Sequence, residues 1–164
     1  MEQTDFEALY ARAARRLVGQ VYAVTGNLAE AEDVVQDAFA QAWVHRAELD
    51  TARSPEAWVR TVAMRRAVSR WRRQRNALVA WSRRQDRDSY ETHDPFDPAL
   101  VKALAELPPA QRLVLVLHHV ADLPVATIAA ELGVPEGTVK ARLSRGRSAL
   151  SARLGLLVSK EEHV

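Results

Sequence analysis

Three sets of polar side chains recur at helical spacing in this sequence, and their types define the chemistry it could perform. The first lies late in the chain: Thr138, Lys140, Arg142, Ser144, Arg145 and Arg147. Arginine forks onto guanine edges while lysine and serine anchor phosphates, so a helix carrying this mixture can read duplex nucleic acid. The second is mid-chain, where Arg66, Arg70 and Arg73 fall at i, i+4 and i+7, with Trp71 and Trp81 interleaved among further arginines. A basic track with nearby aromatics can hold a nucleic-acid backbone and stack an unpaired base. The third is acidic: Glu30, Asp33, Asp37 and Gln41 share one side of a helix and offer a narrow stripe to a basic protein partner. Each set also has an ordinary use as a solvated helix face. Trp43 and Trp71 fall on apolar stripes and read as packing residues.

Bond-breaking chemistry finds no constellation here. His118 and His119 sit inside an apolar helix with no carboxylate pair at metal-ligand spacing, so one reads as a core-edge residue and the other as exposed. There is no phosphate-cradling glycine loop and no G-x-S-x-G. The absence of cysteine excludes a disulfide scaffold, a thiol nucleophile and cysteine-ligated metal. No catalytic residue, metal or cofactor is expected. No apolar run approaches the roughly 18 residues needed to span a bilayer, and the acidic start Met1-Glu-Gln-Thr-Asp5 lacks signal-peptide features. A cytoplasmic protein without membrane insertion is the expectation.

The 164 residues carry a net charge of only +2, but the charge is segregated. Residues 1–59 are net −5, 60–87 net +9, 88–97 net −4, 98–137 net −2 and 138–164 net +4. Two basic blocks separated by acidic ones point to a polyanion. Arginine supplies 20 of the 23 bases; in an alanine-rich chain this bias follows equally from a GC-rich genome, so it carries no weight.

The elements that must position these residues are helical nearly throughout. Thr4-Asp-Phe-Glu7 has the form of a capping box opening a helix to about Thr25, ended by Gly26-Asn27. Asn27-Leu-Ala-Glu30 is a second capping signature. After it, Ala31, Val34, Val35, Ala38, Phe39, Ala42 and Trp43 make one continuous apolar stripe. Residues 46–53 read as a polar connection. Ser54-Pro55 is an N-cap with proline at the first helical position, and the third helix runs to about Arg75. Ala57, Thr61, Met64, Val68 and Trp71 are expected to line its inner face, with Arg66, Arg70 and Arg73 opposite and Arg65 and Arg72 at the core edge. Periodicity then lapses over residues 76–97, a stretch far longer than the usual 2–8 residues between packed helices. The fold class is therefore all-α: two small helical domains, residues 1–76 and 98–164, joined by a flexible linker over 77–97.

The second domain opens with a short helix near 98–106, a Pro108-Pro109 break and a very apolar helix over about 110–121. Residues 124–150 then read as a helix-turn-helix. Pro124 starts a short helix with Ile128, Ala129 and Leu132 inward, Gly133 supplies a left-handed C′ residue, Val134 packs into the corner and Pro135 restarts the chain. The next helix buries Val139, Leu143 and Leu150 and leaves its basic and hydroxyl residues outward, as major-groove reading requires.

Together these residues resemble the extracytoplasmic-function (ECF, group IV) sigma factors of bacterial RNA polymerase, in the sigma-70 family. The resemblance covers residues 4–154. It is carried by Ala31-Glu-Asp-Val-Val-Gln-Asp-Ala-Phe-Ala-Gln-Ala-Trp43, and by Leu107-Pro-Pro-Ala-Gln-Arg-Leu-Val-Leu-Val-Leu117 followed by Gly133-Val-Pro-Glu-Gly-Thr-Val-Lys-Ala-Arg-Leu143. It implies a factor that binds core RNA polymerase, through the clamp helices of the largest subunit and the flap, and directs initiation at specific promoter DNA. On this resemblance Asp33, Gln36, Asp37 and Gln41 contact the clamp. Residues 46–54 lie beside a flipped minus-ten base, and Arg65, Arg66, Arg70 and Arg73 hold the strand and its upstream duplex. Thr138, Lys140, Arg142, Ser144, Arg145 and Arg147 read the minus-thirty-five element. The family further implies an anti-sigma factor as inhibitory partner and a monomer when free. The chain departs from the family pattern at Ala63-Met64-Arg65 and Ser69, where many members carry an Ala-Arg-Asn-x-x-x-Asp run, and at Pro124-Val125-Ala126, where an aromatic and an acid are common.

Two weak DNA-binding domains on a flexible linker gain little from each other until something fixes their spacing. The free chain is therefore expected to bind promoter DNA poorly. The rival reading, a dimeric helix-turn-helix regulator, accounts for residues 123–150 but leaves the acidic helix and the arginine-rich helix without a role.

Overall fold

A computed structural model describes residues 1–51, 54–78 and 96–161, the side chains of 74–78 and 156–161 excepted. Among the described residues all regular structure is helical, as expected, in two separate units, Met1–Pro95 and Phe96–Val164.

In the first unit α1 (Gln3–Thr25), α2 (Leu28–Val44) and α4 (Pro55–Leu78) pack mutually, with the short α3 (Arg46–Thr51) between the last two. α1 buries Leu9, Ala13, Leu17 and Val21, a strict i, i+4 ladder, and α2 buries Ala31, Val34, Val35, Ala38, Phe39 and Ala42. Alanine at so many contacts lets the helix axes approach closely. The helix ends form where local chemistry dictates. Gly26, at φ 70°, takes the left-handed C-cap and donates its N–H to Tyr22. Asn27 Oδ1 accepts from the Glu30 N–H at 2.9 Å, and Ser54 Oγ accepts from the Ala57 N–H at 3.2 Å.

Three expectations are corrected. The Thr4–Glu7 box does not form: α1 starts at Gln3 behind Glu2, no side chain caps it, and Glu7 Oε1 accepts from the Gln3 amide at 2.9 Å. Residues 46–51 are helical rather than a connection, because Leu49 is buried under the bundle. α4 continues past Arg75 to Leu78, so the first two residues of the expected linker are helical; residues 79–95, Trp81 included, lie outside the described residues.

In the second unit α8 (Glu136–Glu161) packs against α5 (Pro98–Ala105), α6 (Pro109–Leu115) and α7 (Val125–Leu132). The apolar helix expected over 110–121 divides. Its last turn, Val116–Val120, is π-helical, with the Ala121 N–H bonded to Val116 O at 3.0 Å. His118 Nδ1 donates to Leu123 O at 2.8 Å across the reversal that follows, where Asp122 takes φ 56°. Pro109 occupies the first turn of α6, where a missing N–H costs nothing.

The helix-turn-helix corner rests on Gly133, at φ 66°, whose N–H and that of Val134 both turn back to Ala129 O. A Cβ there would meet nothing within 4 Å, so any cost of substitution is backbone alone. Gly133→Val is expected to destabilise the second unit by about 1–2 kcal/mol, the left-handed penalty of an L-residue. Gly133→Asn should recover much of it, since Asn tolerates this conformation. Urea dependence of amide exchange in α7 and α8 measures both; equal stability of Val and Asn variants would show that the corner does not depend on the left-handed backbone.

Candidate nucleic-acid and protein interfaces

α2 presents its acidic side outward because its opposite stripe fills the bundle. Asp33 and Gln36 are exposed, while Asp37 and Gln41 are half-buried toward α4. α4 was expected to turn Ala57, Thr61, Met64, Val68 and Trp71 inward. Its buried residues are instead Val59, Arg60, Ala63, Met64 and Ala67, with Ala57, Thr61, Val68 and Trp71 only half-buried. The inner face is thus rotated toward Arg66 and Arg70. Consequently Arg66 and Arg70 stand at the core edge, whereas Arg65 and Arg72, expected there, are exposed, as is Arg73.

This rotation joins two sets of residues that the sequence presents as separate. Arg70 Nη2 donates to Asp37 Oδ2 at 2.7 Å, and Arg66 Nη1 lies 3.5 Å from the same oxygen. Arg66 Nη2 donates to Gln41 Oε1 at 2.8 Å. Two acceptors of the acidic stripe and two arginines of the basic track therefore form one network across α2 and α4. The residues involved are 25 to 33 positions apart, and no local spacing signals the pairing.

Beyond this network the α1/α2 edge carries an aromatic group. Phe6 stacks edge-on with Phe39 and Trp43, and Tyr10 with Phe39. Trp43, expected within the buried stripe, is 37% exposed at the end of this group, with the Arg46 guanidinium 4.5 Å from its ring centroid. His45 and Trp58 rings lie 6.1 Å apart across the start of α3. Of the residues expected beside a flipped base, Ala52 and Arg53 lie outside the described residues.

On α8, Val139, Leu143 and Gly146 are buried. Gly146 packs closely there: an added Cβ would stand 3.0 Å from Leu115 Cδ1, so that side chain would have to give by a few tenths of an ångström. At 100° per residue the face opposite these three holds Ala141, Ser144, Arg145 and Ser148, all exposed. Thr138 and Arg142, both half-buried, flank it on one side, and exposed Lys140 and Arg147 on the other. The six expected residues thus spread over the whole surface left by the buried strip. Ser148 joins them, and spacing from Val139 and Leu143 could have revealed it. Leu150, expected inside, is half-buried.

The two histidines divide as expected, His118 half-buried and His119 exposed. Arg147 Nε donates to His119 Nε2 at 3.2 Å, which requires that nitrogen to be unprotonated. Slight desolvation, with Arg147 and His118 beside it, holds the His119 pKa below the ordinary imidazole value, against an opposite pull from Asp122. Among the described residues no cluster of three or more His, Asp or Glu side chains could hold a metal ion, and no helix is long and apolar enough to cross a membrane.

Comparison with known proteins matches residues 9–77 to sigma-70 region 2 and residues 98–150 to sigma-70 region 4. Over 160 residues the chain is 36% identical to the ECF RNA polymerase sigma factor SigL of Mycobacterium tuberculosis, covering 93% of this chain and 90% of that one. Among solved structures, the sigma factor RpoE from Bartonella quintana, in complex with the anti-sigma factor NepR, has the same fold. Its TM-score is 0.78 at 24% identity, covering 93% of this chain and 98% of that one. CnrH, in complex with the cytosolic domain of CnrY, gives a TM-score of 0.72 at 26% identity, covering 94% of this chain and 90% of that one.

Proposed function

Because the chain belongs to the ECF group of the sigma-70 family, and so is an RNA polymerase sigma factor that directs promoter-specific transcription initiation, we propose a role for each of its exposed polar sets. Residues 1–76 grip the polymerase clamp helices through Asp33, Gln36, Asp37 and Gln41. They hold the minus-ten strand and its upstream duplex through Arg65, Arg66, Arg70 and Arg73. Residues 98–164 dock on the flap and read the minus-thirty-five element through Thr138, Lys140, Arg142, Ser144, Arg145 and Arg147, and residues 77–97 link the two. The factor performs no bond chemistry of its own and works in the cytoplasm as a monomer until polymerase engages it. An anti-sigma protein covers these surfaces to hold it inactive, a reading supported by the RpoE–NepR complex.

The observation that carries the reading is the outward face of α8, where Ser144 and Arg145 stand clear of the core behind a glycine-cornered helix-turn-helix. Run-off transcription tests it. Core polymerase from a related bacterium is mixed with the chain and pooled genomic promoter fragments. Discrete transcripts that require the chain are expected. Absence of transcripts, with a dimer of the chain retaining DNA alone, would replace this reading by the dimeric regulator.

A further inference from the structure

Asp37 belongs to two surfaces at once. In the resemblance it faces the polymerase, yet in the structure its carboxylate holds Arg70 and lies beside Arg66, the two arginines assigned to the DNA strand. Gln41 takes the remaining fork of Arg66. A guanidinium whose donors are engaged by a carboxylate has its charge offset and its fork occupied, so an arriving phosphate must first displace the carboxylate. Arg65 and Arg73, exposed on the same helix, make no ion pair among the described residues.

The network is also easy to open. The side chains of Asp37, Arg66 and Arg70 are 46%, 41% and 35% exposed. Ion pairs this accessible to water contribute little net stability. The apolar contacts of α2 and α4 hold the helices together without them, because Ala38, Ala42, Ala63 and Ala67 are fully buried. Exchange of partners at Asp37 therefore costs the fold little.

We propose that Asp37 is a latch on the strand-binding arginines. In the free chain it holds Arg66 and Arg70 against α2. A basic group of the protein partner that takes the Asp37 carboxylate frees both guanidiniums for nucleic-acid phosphates. The coupling is reciprocal: phosphates that take the arginines leave Asp37 open to the partner. The inference rests on the proposed assignment of Arg66 and Arg70 to DNA, and adds to it an order in which protein contact prepares strand contact.

The test is binding of the full chain to a fluorescent single-stranded DNA oligonucleotide across a salt series, read by anisotropy. Asp37→Asn is expected to tighten binding several-fold at low salt. It should also steepen the slope of log K against log[salt] by about 1.4, as two added phosphate contacts require. Glu32→Gln removes one charge from an exposed position of the same helix, outside the network and outside every assigned contact, and should leave the slope unchanged. Adding Arg66→Gln and Arg70→Gln to Asp37→Asn should abolish the gain. Asp37→Ser, with its thermal melt recorded alongside, provides a second variant should Asn fold poorly.

Three results would overturn the latch. If Glu32→Gln tightens binding as much as Asp37→Asn, the effect is bulk charge. If Asp37→Asn changes nothing while Arg66→Gln with Arg70→Gln weakens the otherwise unchanged chain, the arginines bind DNA but Asp37 does not restrain them. If the arginine substitutions are silent in both backgrounds, the assignment of these residues to DNA falls, and the latch with it.

Discussion

Asp33→Arg is expected to cut transcription dependent on this factor by about 100-fold without unfolding it. Asp33 is exposed on α2, and among the described residues no ion pair ties it to the bundle, so its replacement disturbs no packing. Against a basic partner surface, however, the new guanidinium meets like charge, which costs several kcal/mol. A loss of about 3 kcal/mol is roughly a hundredfold in affinity. Titration of core polymerase in the run-off assay measures the loss, and the thermal melt confirms that the fold survives. Asp33→Asn should fall between. Undiminished transcript from the Arg variant would remove α2 from the polymerase interface. Asp37→Arg is a poorer probe despite lying on the same stripe, because it would also repel Arg66 and Arg70 and so alter both proposed surfaces at once.

The second large effect is expected at Arg112, a buried residue that is in none of the proposed contact sets. Its side chain is only 2% exposed, in the middle of an apolar helix, and Nη2 donates to Ala105 O at 2.9 Å and Leu107 O at 3.0 Å. These carbonyls belong to the end of α5 and the turn before Pro108, where intrahelical donors run out. Burial lowers the guanidinium pKa, so this bridge is maintained against a desolvation cost. Arg112→Ala would open a cavity and leave two carbonyls without this donor. At about 1–3 kcal/mol for the buried Leu107 carbonyl, less for the part-buried Ala105 carbonyl, and about 2 kcal/mol or more for the cavity, the total is about 4 kcal/mol. A unit of this size has only about 3–10 kcal/mol of stability. Peptides from residues 98–150 should therefore lose amide protection in hydrogen-exchange mass spectrometry, while those from α1 and α2 keep it. Arg112→Met, close in length but without donors, isolates the bridge. Native protection in that variant would mean that packing alone, and not the carbonyl bridge, holds α5 in place.

Much of this molecule is written locally. Asn27, Gly26, Ser54 and Gly133 each act within four residues of themselves, through one cap bond or one backbone conformation, and each does in the structure what its type and neighbours dictate. The α2 stripe is equally legible, since six of its seven residues are buried at helical spacing. The family could be recognised because its motifs lie on these same locally determined elements.

What the sequence left undetermined depends on neighbours distant in the chain. The inner face of α4 is ambiguous because alanines and arginines occur all around it; contact with α1 and α2 selects Val59, Ala63 and Ala67 over Ala57, Thr61 and Val68. α3 is too short to nucleate alone and is helical because Leu49 finds a place under the bundle. Arginine in an apolar run reads as a surface residue by its type, and the carbonyls at the end of α5 and in the turn after it draw Arg112 inside. The pairing of Asp37 with Arg66 and Arg70 is of the same kind. Residue type and helical period fix which side chains share a face, because they act over one or two turns. Which faces meet is decided by packing between helices, where contacts span tens of residues, and there the acidic and basic sets became one network.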